Sequence, residues 1–243
     1  MKVLEEALLA VDGLGKRFGD RWALRDLSFT LRPGSIVGMV GANGGGKTTT
    51  LRLLAGLIRP DAGKGHVLGH DIRDLGTDAR RQIGYMSQRL SLYPELTVKE
   101  NLAFRGALLT HRPTPLINRA VDRYGLDKVL HTRFDRLSGG WARRAQFAAV
   151  TLDDPQILLL DEPTAGLDVV TRQLIWGWLG DLASAGHGVV ISTHDLSEAE
   201  RCPYILHYDE GRVTKLMPPA DLVAQTGSTD LEDAVARLAM PAV

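Results

Sequence analysis

Eight consecutive residues, Gly41-Ala42-Asn43-Gly44-Gly45-Gly46-Lys47-Thr48, restrict the folds open to this chain more than any other stretch. They fit G-x-x-x-x-G-K-[ST], and they separate an apolar, β-branched run ending at Val40 from a segment of helical period that begins near Lys47. A strand, a tight glycine loop and a helix in that order make a seat for phosphate. Backbone N–H groups must turn inward around the oxygens, and side chains would obstruct both the turn and the approach, hence the glycines. The positive end of the helix adds favourable charge. Lys47 then reaches the β- and γ-phosphates of a nucleotide, and the Thr48 hydroxyl ligates Mg²⁺.

The rest of the chain suits such a unit. Short apolar runs alternate with longer segments of helical period, which predicts an α/β fold with a mainly parallel sheet. The clearest strands are 36–40, 83–87, 157–160 and 189–192, all too continuously apolar to have one wet face. Residues 7–31 alternate, with turn residues at Gly13, Gly15, Gly19 and Asp20, and read as an N-terminal antiparallel β meander appended to the sheet. From 88 to 154 the strand signal disappears, and 97–109, 115–124 and 139–152 carry helical period. A helix over 171–183 follows, with Leu174, Ile175, Trp178, Leu179 and Leu182 on one stripe. Near the end, Thr229 and Glu232 form a capping box ahead of Leu231, Val235 and Leu238. The expected organisation is one domain over 1–243, with the meander and phosphate-loop core in 7–88 and 155–215, a helical subdomain in 89–154 and a C-terminal docking tail in 216–243.

A phosphate loop alone does not separate kinase, GTPase and transport ATPase. The run Leu158-Leu159-Leu160-Asp161-Glu162 narrows the choice. Successive side chains of a strand point to opposite faces, so Asp161 can hold the Mg²⁺ shell while Glu162 points toward an attacking water. Taken alone, the same pair would also serve to cap the next turn.

Six segments occur in one order: Gly41 to Thr48, Tyr85-Met86-Ser87-Gln88, Leu137-Ser138-Gly139-Gly140, Asp161-Glu162-Pro163-Thr164, Ala165-Gly166-Leu167-Asp168 and Ser192-Thr193-His194-Asp195. In this the chain resembles ABC-type ATPase subunits from about residue 7 to about 215, and Leu-Ser-Gly-Gly separates that family from other phosphate-loop proteins. The resemblance implies a P-loop NTPase core of RecA-like kind with an α-helical insertion. It also implies a head-to-tail dimer in which each ATP lies between the loop of one subunit, Thr49 included, and Ser138, Gly139 and Gly140 of the other. By the same likeness Glu162 is the general base and His194 holds the γ-phosphate and water in line. Gln88 senses the γ-phosphate and Mg²⁺, Asp168 organises the dimer seam, and Phe18 stacks on adenine. Ser138 precedes a helical segment, so its hydroxyl and the following N–H groups suit an anion, although alone it would read as a plain helix N-cap.

Some positions depart from the family. Trp141 stands where Gln is usual, and either stacks on the dimer seam or only packs. Gly45 replaces the commoner Ala without removing an N–H. Trp176 and Trp178, two apart on a helix, cannot share a face, which predicts one in the core and one at an edge. His66 and His70 lack neighbouring carboxylates or cysteines and read as solvated loop residues.

With 29 basic and 29 acidic residues the formal charge is zero, which argues against nonspecific nucleic-acid or anionic-membrane binding, and no nucleic-acid partner is expected. No apolar run approaches the ~18 residues of a membrane span. The paired Glu5 and Glu6 argue against a secretory signal, and the single Cys202 permits no internal disulfide, so a cytosolic chain is expected. The resemblance then implies an ATP-binding and ATP-hydrolysing subunit on the cytoplasmic face of the membrane, pairing with a second ATPase subunit and driving a separate multi-span membrane permease. Export is expected, because Asp230 to Val235 looks like the C-terminal Leu-Glu-Asp helix of export-type members. Leu90, Leu92 and Tyr93, read as exposed, are candidates for the permease contact. Two alternatives stay open at this point: a soluble ABC ATPase in nucleic-acid repair, translation or cofactor assembly, and a regulatory ATP switch without turnover.

Overall fold

The computed structural model describes residues 7–239, so Glu5, Glu6 and the last four residues of the expected tail lie outside the described residues. In chain order the elements are β1 (Leu9–Phe18), β2 (Arg21–Leu31), β3 (Ile36–Gly41), α1 (Lys47–Leu54), β4 (Ala62–Val67), β5 (His70–Asp71), α2 (Thr77–Arg81) and β6 (Ile83–Met86). Then come α3 (Val98–Ala107), α4 (Thr114–Tyr124), α5 (Gly139–Val150), β7 (Ile157–Asp161), α6 (Val169–Ser184), β8 (Gly188–Thr193) and α7 (Leu196–Ala199). The chain closes with β9 (Tyr204–Asp209), β10 (Arg212–Val213), α8 (Pro219–Thr226) and α9 (Leu231–Ala239).

A six-stranded sheet runs β10-β9-β3-β8-β7-β6, parallel except for the β10 edge. Its strands apart from the β10 edge are covered on both faces. Ile36 and Val40 of β3, Leu158 and Leu160 of β7, and Val189 and Ile191 of β8 join one apolar cluster with α3 to α6; Val37, Met39, Leu159 and Val190 join the other, with β1, β2 and α1. That double burial is why these strands read as unbroken apolar runs.

The meander is not appended to this sheet. β1 and β2 form a second, wholly antiparallel sheet with β4 and β5, in the order β2-β1-β4-β5. Strand β4 (Ala-Gly-Lys-Gly-His-Val) has no apolar run to announce it, because its alternate positions face solvent and two are glycine. At Gly63 a Cβ would strike the Gly13 backbone across the β1–β4 pair. Only Gly19 and Asp20 form the expected turn; Gly13 and Gly15 lie inside β1, where the register shifts. β9 was equally hidden, since its buried positions include His207 and Tyr208.

Between β6 and β7 the chain is helical, with two 3₁₀ turns (Asp127–Val129 and Phe134–Arg136) joining α4 to α5. Both indoles of α6 are buried, against the expectation of one core and one edge position. Tyr124 meets Trp178 and Phe147 edge-on, with centroids 4.8 Å and 5.5 Å apart, and Phe147 lies tilted at 35° to Trp178, 5.5 Å away, while Trp176 lies under the Arg201 guanidinium. α6 is covered on two sides, and only Leu174 of the expected stripe is left 40% exposed. Phe147→Ala is expected to lower stability by about 3–5 kcal/mol, because it empties the centre of this aromatic trio. A urea unfolding midpoint measured against the unaltered chain checks this.

The last helix is capped one residue later than expected. Asp230 accepts from the Asp233 amide at 2.8 Å, and the Thr229 amide donates to Asp233 at 3.3 Å. With α9 starting at Leu231, Glu232 falls on the second helical position and cannot close the box. Leu231 and Ala234 dock the helix into the larger cluster. No described helix is long and apolar enough to cross a membrane.

Candidate active site

The phosphate loop leaves the sheet at its centre. Gly41 ends β3 at φ 144°, where a Cβ would run into the Tyr208 carbonyl of β9, so no other residue fits there unstrained. Asn43 and Gly44 form the exposed crest, and Gly46 sits at φ 111° immediately before α1. Around Gly44 a Cβ would meet nothing within 4 Å, which leaves the crest open to a phosphate chain. Gly45 is buried, and its amide closes the loop on the Ala42 carbonyl at 3.2 Å.

Lys47 folds back over the loop, and its ammonium donates to the carbonyls of Gly41 at 2.5 Å and Ala42 at 3.0 Å. Burial lowers its pKa, an effect that the charges of Glu162 and Asp161 oppose. The Thr48 hydroxyl donates to Asp161 Oδ2 at 2.9 Å, and Thr49 stands half-buried beside it. Hard oxygens so placed, next to a phosphate seat, match what Mg²⁺ takes, since it keeps most of its waters and uses one or two protein oxygens.

Asp161 and Glu162 are not oriented by strand alternation alone. Asp161 is the last residue of β7, and its other carboxylate oxygen accepts from Ser192 at 2.6 Å. Glu162 lies at φ 47°, in the left-handed region, and its amide donates to the same Ser192 hydroxyl at 3.0 Å. This strained turn aims the Glu162 carboxylate, 7% exposed as a residue, at two partners from different loops. Gln88 Nε2 donates to its Oε2 at 2.9 Å, and His194 Nδ1 lies 3.3 Å from its Oε1. A recess of about 60 Å³ opens beside Glu162 and His194, lined also by Thr164, Gly166 and Asp195. That is space enough to hold water.

Ser138, Gly139, Gly140 and Asp168 form a second group. Ser138 holds the N-cap position of α5, but its hydroxyl makes no capping bond, and it is exposed together with Gly139. Asp168 caps α6 by accepting from the Thr171 amide at 2.9 Å and hydroxyl at 2.7 Å, bonds that hold its carboxyl below the usual range. Gly140 packs against that pair; a Cβ on it would lie 3.0 Å from the Thr171 hydroxyl. Among the described residues no hydrogen bond joins this group to Lys47, Asp161 or Glu162. Phe18 ends β1 with its ring 54% exposed and the Lys16 ammonium 5.6 Å from the centroid. Trp141 is half-buried, with the Arg144 guanidinium over one face at 4.1 Å. Leu90 and Tyr93 are exposed as expected, whereas Leu92 is half-buried against the core.

Sequence reasoning did not single out Arg172, which bonds Asp195 at 3.1 Å, nor Arg143 and Gln146 on the buried face of α5. Polar residues at i and i+3 on an otherwise apolar helical face were the available signal.

The ABC transporter family matches over residues 24–165. A probable multidrug ABC transporter ATP-binding protein, YbhF of Escherichia coli (strain K12), is 35% identical over 231 residues, covering 94% of this chain and 40% of that protein. The chain therefore spans less than half of that relative's length. The Nod factor export ATP-binding protein I of Burkholderia lata is 36% identical over 222 residues, covering 89% of this chain and 73% of its own. Among solved structures, a dimeric post-hydrolysis state of the ATP-binding cassette MJ0796, bound to ADP and Pi, superposes with a TM-score of 0.79 at 26% identity, over 86% of this chain and 98% of that one. The α/β phosphate-loop fold expected from the sequence is the fold of these proteins.

Proposed function

Because this chain belongs to the ABC transporter family, we propose that it is an ATP-hydrolysing subunit that works as a pair and drives a separate multi-span permease, in the export direction. The observation that carries the reading is the Glu162 carboxylate, held by Gln88 and His194 beside a water-sized recess and within one residue of the Asp161–Thr48 pair.

Lys47 leaves the carbonyls of Gly41 and Ala42 for the β- and γ-phosphates, with the amides of the loop from Asn43 to Thr49 around them. Thr48 and Asp161, together with Gln88, would hold Mg²⁺, which would supply positive charge to offset that of the phosphates. Glu162 accepts the proton of a water in the recess as the water oxygen bonds to the γ-phosphorus and the bond to the bridging oxygen breaks, leaving ADP and phosphate. His194 keeps that water and the γ-phosphate in line. Ser138, whose hydroxyl makes no capping bond, and the amides of Gly139 and Gly140 meet the γ-phosphate of the other subunit's ATP across a seam that Asp168 shapes. Phe18 offers a ring face to the base.

The permease contact is assigned to the exposed apolar residues after Gln88: Leu90, and the recess where Tyr93 and Phe104 stack edge to face at 5.1 Å beside Leu108. The subunit then lies peripherally on the cytoplasmic face. Affinity-tagging the chain, solubilising membranes and identifying what co-purifies tests this: a multi-span protein is expected, and recovery with ribosomes or nucleic acid instead would overturn it.

A further inference from the structure

The helix that begins at Gly139 is tied to the Gln88 turn by buried polar bonds to which the reaction above gives no role. Arg143, 7% exposed, donates to the Gln88 carbonyl at 3.0 Å, to Gln146 Oε1 at 3.2 Å and, at 3.5 Å, to the Ser87 carbonyl. Gln146, one helical turn on and also buried, donates to the Arg89 carbonyl at 3.1 Å and the Ser91 hydroxyl at 3.2 Å. Two side chains of α5 thus hold the backbone carbonyls of residues 87–89 and the Ser91 hydroxyl. A buried guanidinium carries a desolvation cost that an apolar side chain of similar length would avoid, so packing alone does not account for it. Burial lowers the Arg143 pKa, and the charges of Glu162 and Asp161 act in the other direction, which places the cation within electrostatic reach of both carboxylates.

We propose that Arg143 is a positioning residue through which the placement of α5 sets the grip of Gln88 on Glu162. The path is short. Arg143 holds the Gln88 carbonyl, and the Gln88 amide donates to Glu162 Oε2 at 2.9 Å. Ser138, Gly139 and Gly140 begin the same helix, and in the paired arrangement they touch the ATP bound by the other subunit. Closure on that ATP displaces α5, carries Arg143 with it and seats the Glu162 of the same subunit, so that filling one site prepares the other. The inference rests on the paired-subunit reading given above and adds to it a named link between the two sites.

The test is steady-state ATP hydrolysis by the full chain with Mg-ATP, in a double-mutant cycle. Arg143→Met is expected to lower kcat about tenfold or more while KM for ATP moves less than about threefold, because orientation is lost and nucleotide binding is not. In a Gln88→Ala background the same substitution should add less than about twofold, since the two residues act in series. Arg143→Lys, which keeps the charge but not the forked contact, should recover part of the rate and show the same dependence on Gln88, and it serves should Arg143→Met not fold. An equal loss in both backgrounds, a change confined to KM, or an unaltered kcat would overturn the inference while leaving the ATPase reading intact. A wild-type chain without turnover would overturn both.

Discussion

Glu162→Gln binds Mg-ATP as tightly as the unaltered chain, hydrolyses it about 10²–10⁴ times more slowly and accumulates as an ATP-bound pair. The substitution keeps size and shape, and Gln tolerates the φ of 47° no worse than Glu does, so the turn after β7 persists. One of its two side-chain oxygens becomes an amide nitrogen. The carbonyl oxygen that remains can still accept from Gln88, but the amide cannot take a proton from water at neutral pH. The nucleotide stays uncleaved, and the contacts of Ser138 to Gly140 with it last. Phosphate release and light scattering with ATP present check the two halves of the result. Full turnover in this variant would remove Glu162 from the role of base.

Lys47→Ala acts earlier, on binding. The ammonium is buried, and without ligand it spends its charge on the carbonyls of Gly41 and Ala42. Replacing one partner of a desolvated charge pair costs about 2–5 kcal/mol, so affinity for ATP should fall by roughly 30- to several-thousand-fold. Titration with a fluorescent nucleotide measures it. The fold should hold, since the methyl group of Ala still fits the start of α1 and the loop glycines are untouched. An affinity within about threefold of the unaltered chain would show that the loop amides alone bind the phosphates.

These predictions draw on parts of the site that were legible to different degrees. The loop itself was readable because its chemistry is local: glycines where the backbone must turn and approach phosphate, then a Lys and a Thr on the first turn of a helix. Asp161 and Glu162 were readable as acids at a strand end, but not how they are aimed. Alternation along a strand would have sent them to opposite faces, whereas the turn at Glu162 departs from strand geometry and is held by Ser192, thirty residues away in the chain. The meeting of Gln88, Glu162 and His194 likewise depends on three loops that the parallel order β6-β7-β8 brings side by side. Arg143 went unnoticed because one of two adjacent Arg residues on a helix reads as surface until the turn it supports is seen against it.

Strand detection failed for a related reason. β4 and β9 owe their place to partners, Gly63 to the close approach of β1 and Tyr208 to the glycine at position 41, and neither dependence is written in the strand's own residues. α6 misled in the other direction, because two indoles on different faces are both buried only when the helix is covered on two sides.

From its residues alone this chain committed itself to a phosphate loop between strand and helix, to an α/β architecture, and to a set of motifs whose order marks one family, all of them consequences of short-range geometry and of apolar runs that must leave water. Which loops converge on Glu162, where the meander pairs, and what ties the helix after Ser138 to Gln88 came from the packed structure, because each is a contact between segments far apart in the chain, and such contacts exist only once the sheet order has set the distances.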